Sequence, residues 1–595
     1  MSREYTMRCD LGSAWSAIGR FALVCGVVLL ISGCGDRLVR SDTQAGNADG
    51  ALAEKAVKLP FPEPPPRDQE LDSDTLFSFL VGELGARRAE LPLALNHYLH
   101  VARLTGSRYA ARRAARIAAY LKDKAKLDKA VRLWVEVAPN AIDARQLAAR
   151  VALQRGDRAG ALKQLRAILE IAKAEGKDGY LQAAAAFAKT TQAKAGIPLL
   201  ETLAKESGND AKARYAVALL ALAAKQFDVA GKYIEPVYQQ DADNARAALL
   251  FSQVLVAKKQ TKRAIEVLKR GLSASPANRP LRVALARLLV DEGRLREAYD
   301  QFEKLHKAHP DEEEILYTMA ILSLQLKHWD DAERQLRQLR AKGFKTDEVT
   351  YYLGQVAESR KRYKEAAEWY KAVANGSFRQ DARIRLARVL ALSGDLDKAL
   401  DVVHRFRETF PDRRIDSFML EGELLHEGGR DDQAYALYNR VLKEYPGNLD
   451  LRYSRGLIAA ELGHIDVLEQ DMRAILARKP EYADALNALG YTLADKTDRY
   501  QEAYQLISRA LKLRPDSAAV MDSMGWVLYR MGRYDEALEY LRKAHEKLPD
   551  GEITAHLAQV LWAAGERRKA SGLVKAALKK DPDNRFLKAA LRRFQ

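Results

Sequence analysis

The sequence predicts an all-α solenoid of repeated helix pairs, and three regularities predict it. A small residue, mostly alanine, recurs with a bulky residue four positions later. It stands at Ala94, Ala130, Ala161, Ala230, Ala264, Ala298, Ala332, Ala366, Ala399, Ala434, Ala503, Ala537 and Ala570, with Leu468 in one slot. From Ala230 onward the steps between these slots are 33 to 35 residues. A second small residue stands twelve positions earlier in many units, as at Gly82, Ala118, Ala286, Gly354, Gly422 and Gly525. A proline stands twelve positions later in eight of them: Pro276, Pro310, Pro411, Pro446, Pro480, Pro515, Pro549 and Pro582. The chain has only 18 prolines, so this placement is not random.

Each slot has a physical reason. Two small residues let two antiparallel helices approach where they cross. The bulky residue four positions on (Phe302, Tyr370, Tyr438, Leu541) lies on the same helix face and fills the space between them. Proline cannot continue the second helix, so it marks the end of each unit. Units of this kind bury their faces only against neighbours, so the body is expected to be one array rather than separate domains. Length and composition agree. The chain has 595 residues, 48% hydrophobic and 30% charged, which excludes a disordered chain and a polytopic membrane protein.

The first 33 residues read as a signal peptide. Arg3, Arg8 and Arg20 form a basic region, and Phe21 to Ile31 form an apolar run too short to span a bilayer. Ile31-Ser32-Gly33-Cys34 resembles the bacterial lipobox, in which the cysteine is acylated and becomes the mature N-terminus. Cys34 is therefore the expected lipid attachment site, carrying palmitate or a related acyl chain. The alternative is an ordinary secretory signal with a chance cysteine. By resemblance to lipoprotein sorting signals, Gly35 in place of aspartate favours the outer membrane over the inner one. Cys9, Cys25 and Cys34 are the only cysteines, which excludes a disulfide framework, a thiolate metal cluster or a catalytic cysteine in the body.

Residues 34–72 are expected to be a flexible tether. They include Pro60, Pro62, Pro64, Pro65 and Pro66, and they carry an acidic excess. Residues 51–61 are less polar, with Leu52, Ala53, Ala56, Val57, Leu59 and Phe61. That stretch reads either as loose linker or as a segment that folds onto a partner.

Residues 73–229 read as degenerate helical repeats and 230–583 as regular ones, with the pattern poorest around 180–210. Residues 584–595 read as a capping helix with a basic outer face. The slots and the 34-residue period resemble the tetratricopeptide repeat family. Asn487-Ala-Leu-Gly-Tyr491, and Ser523-Met-Gly-Trp-Val-Leu-Tyr529 followed by Tyr534-Asp-Glu-Ala537, carry the resemblance most clearly. It implies a tetratricopeptide repeat solenoid of about 14 to 15 helix-turn-helix units wound as a right-handed superhelix.

In that family the first helix of each unit lines the inner groove, with exposed slots at positions 2, 5, 9 and 12. The expected partner-binding residues are Asn487, Tyr491, Asp522, Trp526, Tyr529, Gln559 and Trp562. Aromatic and polar groups interleaved in this way suit an extended or helical peptide. An alternative for Trp526 and Trp562 is packing against the next repeat.

Charge supplies a second candidate surface. The chain carries a net charge of +17, which favours anionic partners. Residues 87–178 hold 20 Lys/Arg against 9 Asp/Glu. Arg108, Arg112 and Arg116 fall on one helix face with Arg113 beside them, a basic surface for anionic lipid or an acidic partner. Nucleic acid fits the charge but not the expected compartment. His97 with His100, and His306 with His309, have helical spacing but no third ligand nearby, so no metal is expected. No nucleotide loop, nucleophile elbow or paired-histidine zinc motif is present, and neither an enzyme nor a cofactor is expected.

The block from Asn487 to Gly565, with lipobox, tether and long array, is similar to a proteobacterial family of outer-membrane tetratricopeptide lipoproteins. That resemblance implies an adaptor that binds and activates a periplasmic carboxyl-terminal processing serine protease. It would present peptidoglycan cross-link hydrolases to that protease for degradation. The alternative is a structural scaffold of an outer-membrane secretion or assembly complex, for exopolysaccharide export or barrel assembly.

Overall fold

A computed structural model describes residues 72–188 and 190–594. The expected signal peptide, Cys34, the segment 51–61 and all of the tether before residue 72 lie outside the described residues. Within them the chain forms 31 α-helices and one short 3-10 turn, with no strand. Most helices run 13 or 14 residues, just under four turns. The structure is the tetratricopeptide solenoid that the repeat predicts.

Local sequence sets each boundary. Many first helices start on a residue whose side chain accepts backbone N–H bonds. Asn244 accepts from Arg246 and Ala247, Asn448 from Leu451, and Asp550 from Ile553. Second helices stop two residues before the slot proline. The residue in between is pushed out of the helical region, as at Ser275 (φ −130°, ψ 73°), Phe410 (φ −128°, ψ 75°) and Lys479 (φ −134°, ψ 81°). The turn inside most pairs contains one residue at positive φ. Gly293, Gly394 and Gly463 supply it freely, but Lys225, Lys259, Lys327 and Lys361 occupy the same place at φ 57° to 59°.

The helix crossing is the centre of every unit. All fourteen slots from Ala94 to Ala570 are fully buried, at 0% exposure. Each of the earlier small slots faces the bulky residue sixteen positions on. At several repeats the small residue is a glycine pressed against that side chain. A Cβ on Gly354 would stand 2.5 Å from the Tyr370 ring, and a Cβ on Gly422 would stand 2.2 Å from Cζ of Tyr438. Glycine also meets smaller side chains, Leu541 at Gly525 and Met472 at Gly456. Alanine holds the same slot sixteen residues before Leu336 and Leu165, and also before Trp134 and Phe302. A small residue on one side of the crossing leaves the space that the bulky one fills.

Contacts divide the described chain into two compact units, one running to Ile315 and one from Leu316. In the first, the poorly patterned stretch near residue 180 shows why its sequence drifts. The first helix of that unit, Gly179–Ala185, is only 7 residues long. Phe187 then fills the space under Gly196, where a Cβ would stand 2.7 Å from the ring. In the second unit the final helix, Arg585–Arg593, starts on Asn584 and buries Leu587 and Ala590 against the last repeat. Arg592 and Arg593 lie in its last turn.

Gly354→Ala is expected to destabilise its repeat by about 1–3 kcal/mol, because the added methyl has no room beside a rigid ring. Adding Tyr370→Leu should recover part of that loss, since other repeats pair alanine with leucine. Amide exchange across residues 346–372 reads both effects locally. Whole-chain melting does not, because a long array need not unfold in one step.

Candidate protein-binding surface

First helices of successive repeats touch one another and form a continuous row in the unit from Leu316 onward. The seven expected groove residues sit on this row, and the structure corrects their exposure. Asn487, Asp522 and Trp526 are buried, with Trp526 only 5% exposed. The Trp526 indole stacks on the His556 imidazole of the next first helix, with centroids 4.2 Å apart and planes 27° from parallel. Its Nε1 donates to Asp495 Oδ1 at 3.2 Å. Tyr491 is half-buried and donates to Glu552 Oε1 at 3.2 Å, two repeats ahead. Trp562 lies flat on Phe594 beyond the final helix, with centroids 4.5 Å apart. Gln559 accepts from Arg593 at 2.6 Å. Tyr529 is half-exposed beside Trp526 and Tyr534.

The reason is geometric. A large ring at position 9 reaches the seam between neighbouring first helices and finds apolar contact and a hydrogen-bond partner there. These rings thus hold repeats together, and the accessible part of the row is Tyr529, Trp562 and Gln559.

The seam contains a buried charge pair. His556 Nδ1 lies 2.9 Å from Asp522 Oδ2 and 3.0 Å from Oδ1. Burial opposes the charged imidazole. The Asp522 carboxylate against it, with Glu552 and Asp495 nearby, outweighs that and raises the His556 pKa above its usual value. Similar links cross other seams. Tyr317 donates to Glu348 at 2.6 Å, and Arg388 grips Glu423 with two bonds of 2.8 and 2.9 Å. Asp471, fully buried in a second helix, is held by Arg452 and Arg455 at 2.9 and 2.6 Å.

One feature of the row escaped the motif reading. Position 2 of the first helix is acidic in six repeats of this unit: Glu348, Asp381, Asp416, Asp450, Asp484 and Glu552. Ala519 is the exception. Asp416 and Asp450 are exposed, while Asp484 pairs with Arg514 at 2.7 Å. The 34-residue step carries this signal in the sequence, visible only when residues are aligned by slot. In the other unit the same slot is mixed, basic at Arg112, Lys212 and Arg246 and acidic at Asp143 and Glu314.

The basic helix in that other unit is Arg108–Tyr120. Arg108 and Arg116 are exposed there. Arg112 is half-buried and pairs with Asp143 at 3.4 Å. Arg113 is a correction to the expected basic face. It turns inward, donates to the Tyr98 hydroxyl at 3.3 Å and lies 3.8 Å from Glu83. Glu83 also accepts from Tyr98 at 2.6 Å and from Tyr109 at 2.7 Å. Burial, reinforced by the Glu83 bond, pushes the Tyr109 hydroxyl up to about 12. The basic face is therefore Arg108 and Arg116, flanked by Arg112. Among the described residues no group of three or more metal-ligating side chains converges. His97 meets the Phe77 ring edge-on and His309 lies 3.9 Å from Glu312. No described helix is long and apolar enough to cross a membrane.

A stack of helix pairs with charged and aromatic side chains along its first helices defines a repeat protein that holds other proteins. The chain belongs to the tetratricopeptide repeat family. Tetratricopeptide repeat profiles match residues 221–356 in overlapping segments, 416–448, 481–550 and 528–593. The TPR repeat-containing protein PA4667 of Pseudomonas aeruginosa is 32% identical over 554 residues, covering 92% of both chains. The cellulose synthase operon protein C of Pseudomonas fluorescens is 24% identical over 340 residues, covering 55% of this chain and 25% of that protein. Among solved structures, a tetratricopeptide repeat protein from Parabacteroides merdae shares 19% identity and a TM-score of 0.35, covering 42% of this chain and 98% of that one. The protein is a protein–protein interaction scaffold.

Trp526→Ala should loosen the seam by about 3–5 kcal/mol, the cost of deleting a buried ring, and raise amide exchange across residues 518–563. Tyr529→Ala should leave that exchange nearly unchanged. The His556 pair gives a pH signature. Because its folded pKa is raised, its stabilisation is complete below the unfolded value of about 6.5 and is lost as pH rises through the folded value. Protection of residues 518–563 should fall as pH increases above about 6.5, and His556→Gln should flatten the profile.

Proposed function

We propose that this scaffold is a non-catalytic, lipid-anchored adaptor of the outer membrane, facing the periplasm. It binds and activates a carboxyl-terminal processing serine protease and presents peptidoglycan cross-link hydrolases to it. The observation that carries the reading is the order of parts. A basic region, an apolar run, small residues and Cys34 precede a proline-rich stretch and a repeat array. A bacterial relative matches the chain over 92% of both lengths. The resemblance of Asn487 to Gly565 to the outer-membrane lipoprotein family supports the choice of protease. Holding protease and substrate on one array raises their effective concentration without any new catalytic group. Tyr529, Gln559 and Trp562 offer accessible contacts for a partner, beside an acidic row that favours basic segments.

A second reading is a scaffold of an exopolysaccharide export complex. It is favoured by the similarity to the cellulose synthase operon protein, which covers 55% of this chain.

The test is a pull-down from membrane and periplasmic extract with the tagged full chain, followed by mass spectrometry. The adaptor reading expects the processing protease together with wall hydrolases, and faster hydrolase cleavage when purified protease and scaffold are combined. Export subunits without protease would move the second reading to first place. Cys34→Ser should abolish acyl labelling and release the protein from the membrane fraction. Unchanged labelling would remove the anchor from the reading.

A further inference from the structure

Four exposed large hydrophobic side chains gather on the first described helix, Ser73–Arg87. Phe77 is 63% exposed, Leu84 52%, Leu80 49% and Leu76 44%. Residues 76, 80 and 84 follow one another at intervals of one helical turn, and residue 77 adjoins them, so all four share a face.

Repeat register shows what this face is for. Counting from Gly82 at position 8, Phe77 is position 3 and Leu84 is position 10. In the regular repeats position 3 is buried, as at Leu281, Val349, Leu451 and Ile553. Position 10 is buried as well, as at Leu220, Val254, Val356 and Val527. What covers them is the second helix of the preceding repeat, which packs on the first helix of the next. At Ser73–Arg87 no preceding helix is described, yet the side chains at both positions are those of a covered helix rather than of a solvated end. Contrast the other end of the array, where Arg585–Arg593 covers the last repeat and turns arginines outward. A repeat array needs such a cap at each end.

The chain just before this helix has a matching pattern. Leu52, Ala53, Ala56 and Val57 fall at i, i+1, i+4 and i+5, one apolar stripe on helical spacing, with Glu54, Lys55 and Lys58 off the stripe. Gly50 precedes the stretch and Pro60 ends it. The residues between Pro60 and Asp72 can span roughly 40 Å when extended, whereas a 15-residue helix is about 22 Å long, so the connection reaches any point on the face. So short a connection also keeps the segment at millimolar effective concentration, ahead of most other occupants.

We propose that residues 51–59 form the N-terminal cap of the array, laying Leu52, Ala53, Ala56 and Val57 on Leu76, Phe77, Leu80 and Leu84 of the same chain. The segment takes the place that a preceding second helix holds in every regular repeat. It shields the end of the solenoid from water and from a second copy.

A cysteine cross-link tests this, because all native cysteines lie in the first 34 residues. The full chain would carry Cys9→Ala, Cys25→Ala and Cys34→Ala together with Val57→Cys and Phe77→Cys. The expected result on mild oxidation is a disulfide within one chain, at a yield independent of protein concentration. A disulfide between two chains, growing with concentration, would mean that a second copy covers the face, and would overturn the proposal. No disulfide would overturn it too. Independently, Leu52→Asp with Val57→Asp should speed amide exchange in residues 76–84 at least tenfold and leave residues 346–563 unchanged. Unaltered exchange in residues 76–84 would show that the segment does not cover the helix.

Discussion

Everything else in this protein depends on the distance between two helices at one crossing point. Most repeats hold that distance by pairing a small residue with a bulky one sixteen positions later. Glycine meets the rings of Tyr98, Tyr370 and Tyr438 and the side chains of Met472 and Leu541, while alanine stands in the same slot before Leu165 and Leu336. A crossing of fixed spacing gives each repeat the same thickness. Uniform thickness is what lets the second helix of one repeat seat on the first helix of the next. The seams then follow, and with them the His556–Asp522 pair and the Trp526 stack.

This hierarchy explains what the sequence reveals and what it hides. The helix pairs are legible because their determinants are local and repeated: small slots, a proline two residues past eight of the second helices, and Asn, Asp or Ser ahead of many first helices. The fate of the position 9 rings is not legible in the same way. Whether Trp526 faces a partner or its neighbour depends on His556, 30 residues later, and on Asp495, 31 residues earlier. No single repeat contains that information. Arg113 fails for the same reason. Helical spacing places it beside Arg112, but Glu83, Tyr98 and Tyr109 draw it inward from other helices.

The slot at position 2 differs between the two units. It is acidic through most of the unit from Leu316 onward and mixed in the other, where Arg112, Lys212 and Arg246 share it with Asp143 and Glu314. In several repeats this residue joins the packing, as Glu348 does with Tyr317 and Glu552 with Tyr491. Where it stays exposed, as at Asp416 and Asp450, it adds negative charge to the face of the row.

The turns inside the repeats carry one more consequence. Only three residues separate Ala257 from Thr261, and Lys259 sits among them at φ 59°, exposed to solvent. A peptidase needs several residues drawn out as a strand, and a turn this short cannot supply them unless helix ends unwind on both sides. Susceptibility to digestion is therefore set by how often a single repeat opens and not by how many lysines its surface displays. A scaffold with turns this tight resists nicking between its helices for as long as its repeats stay closed.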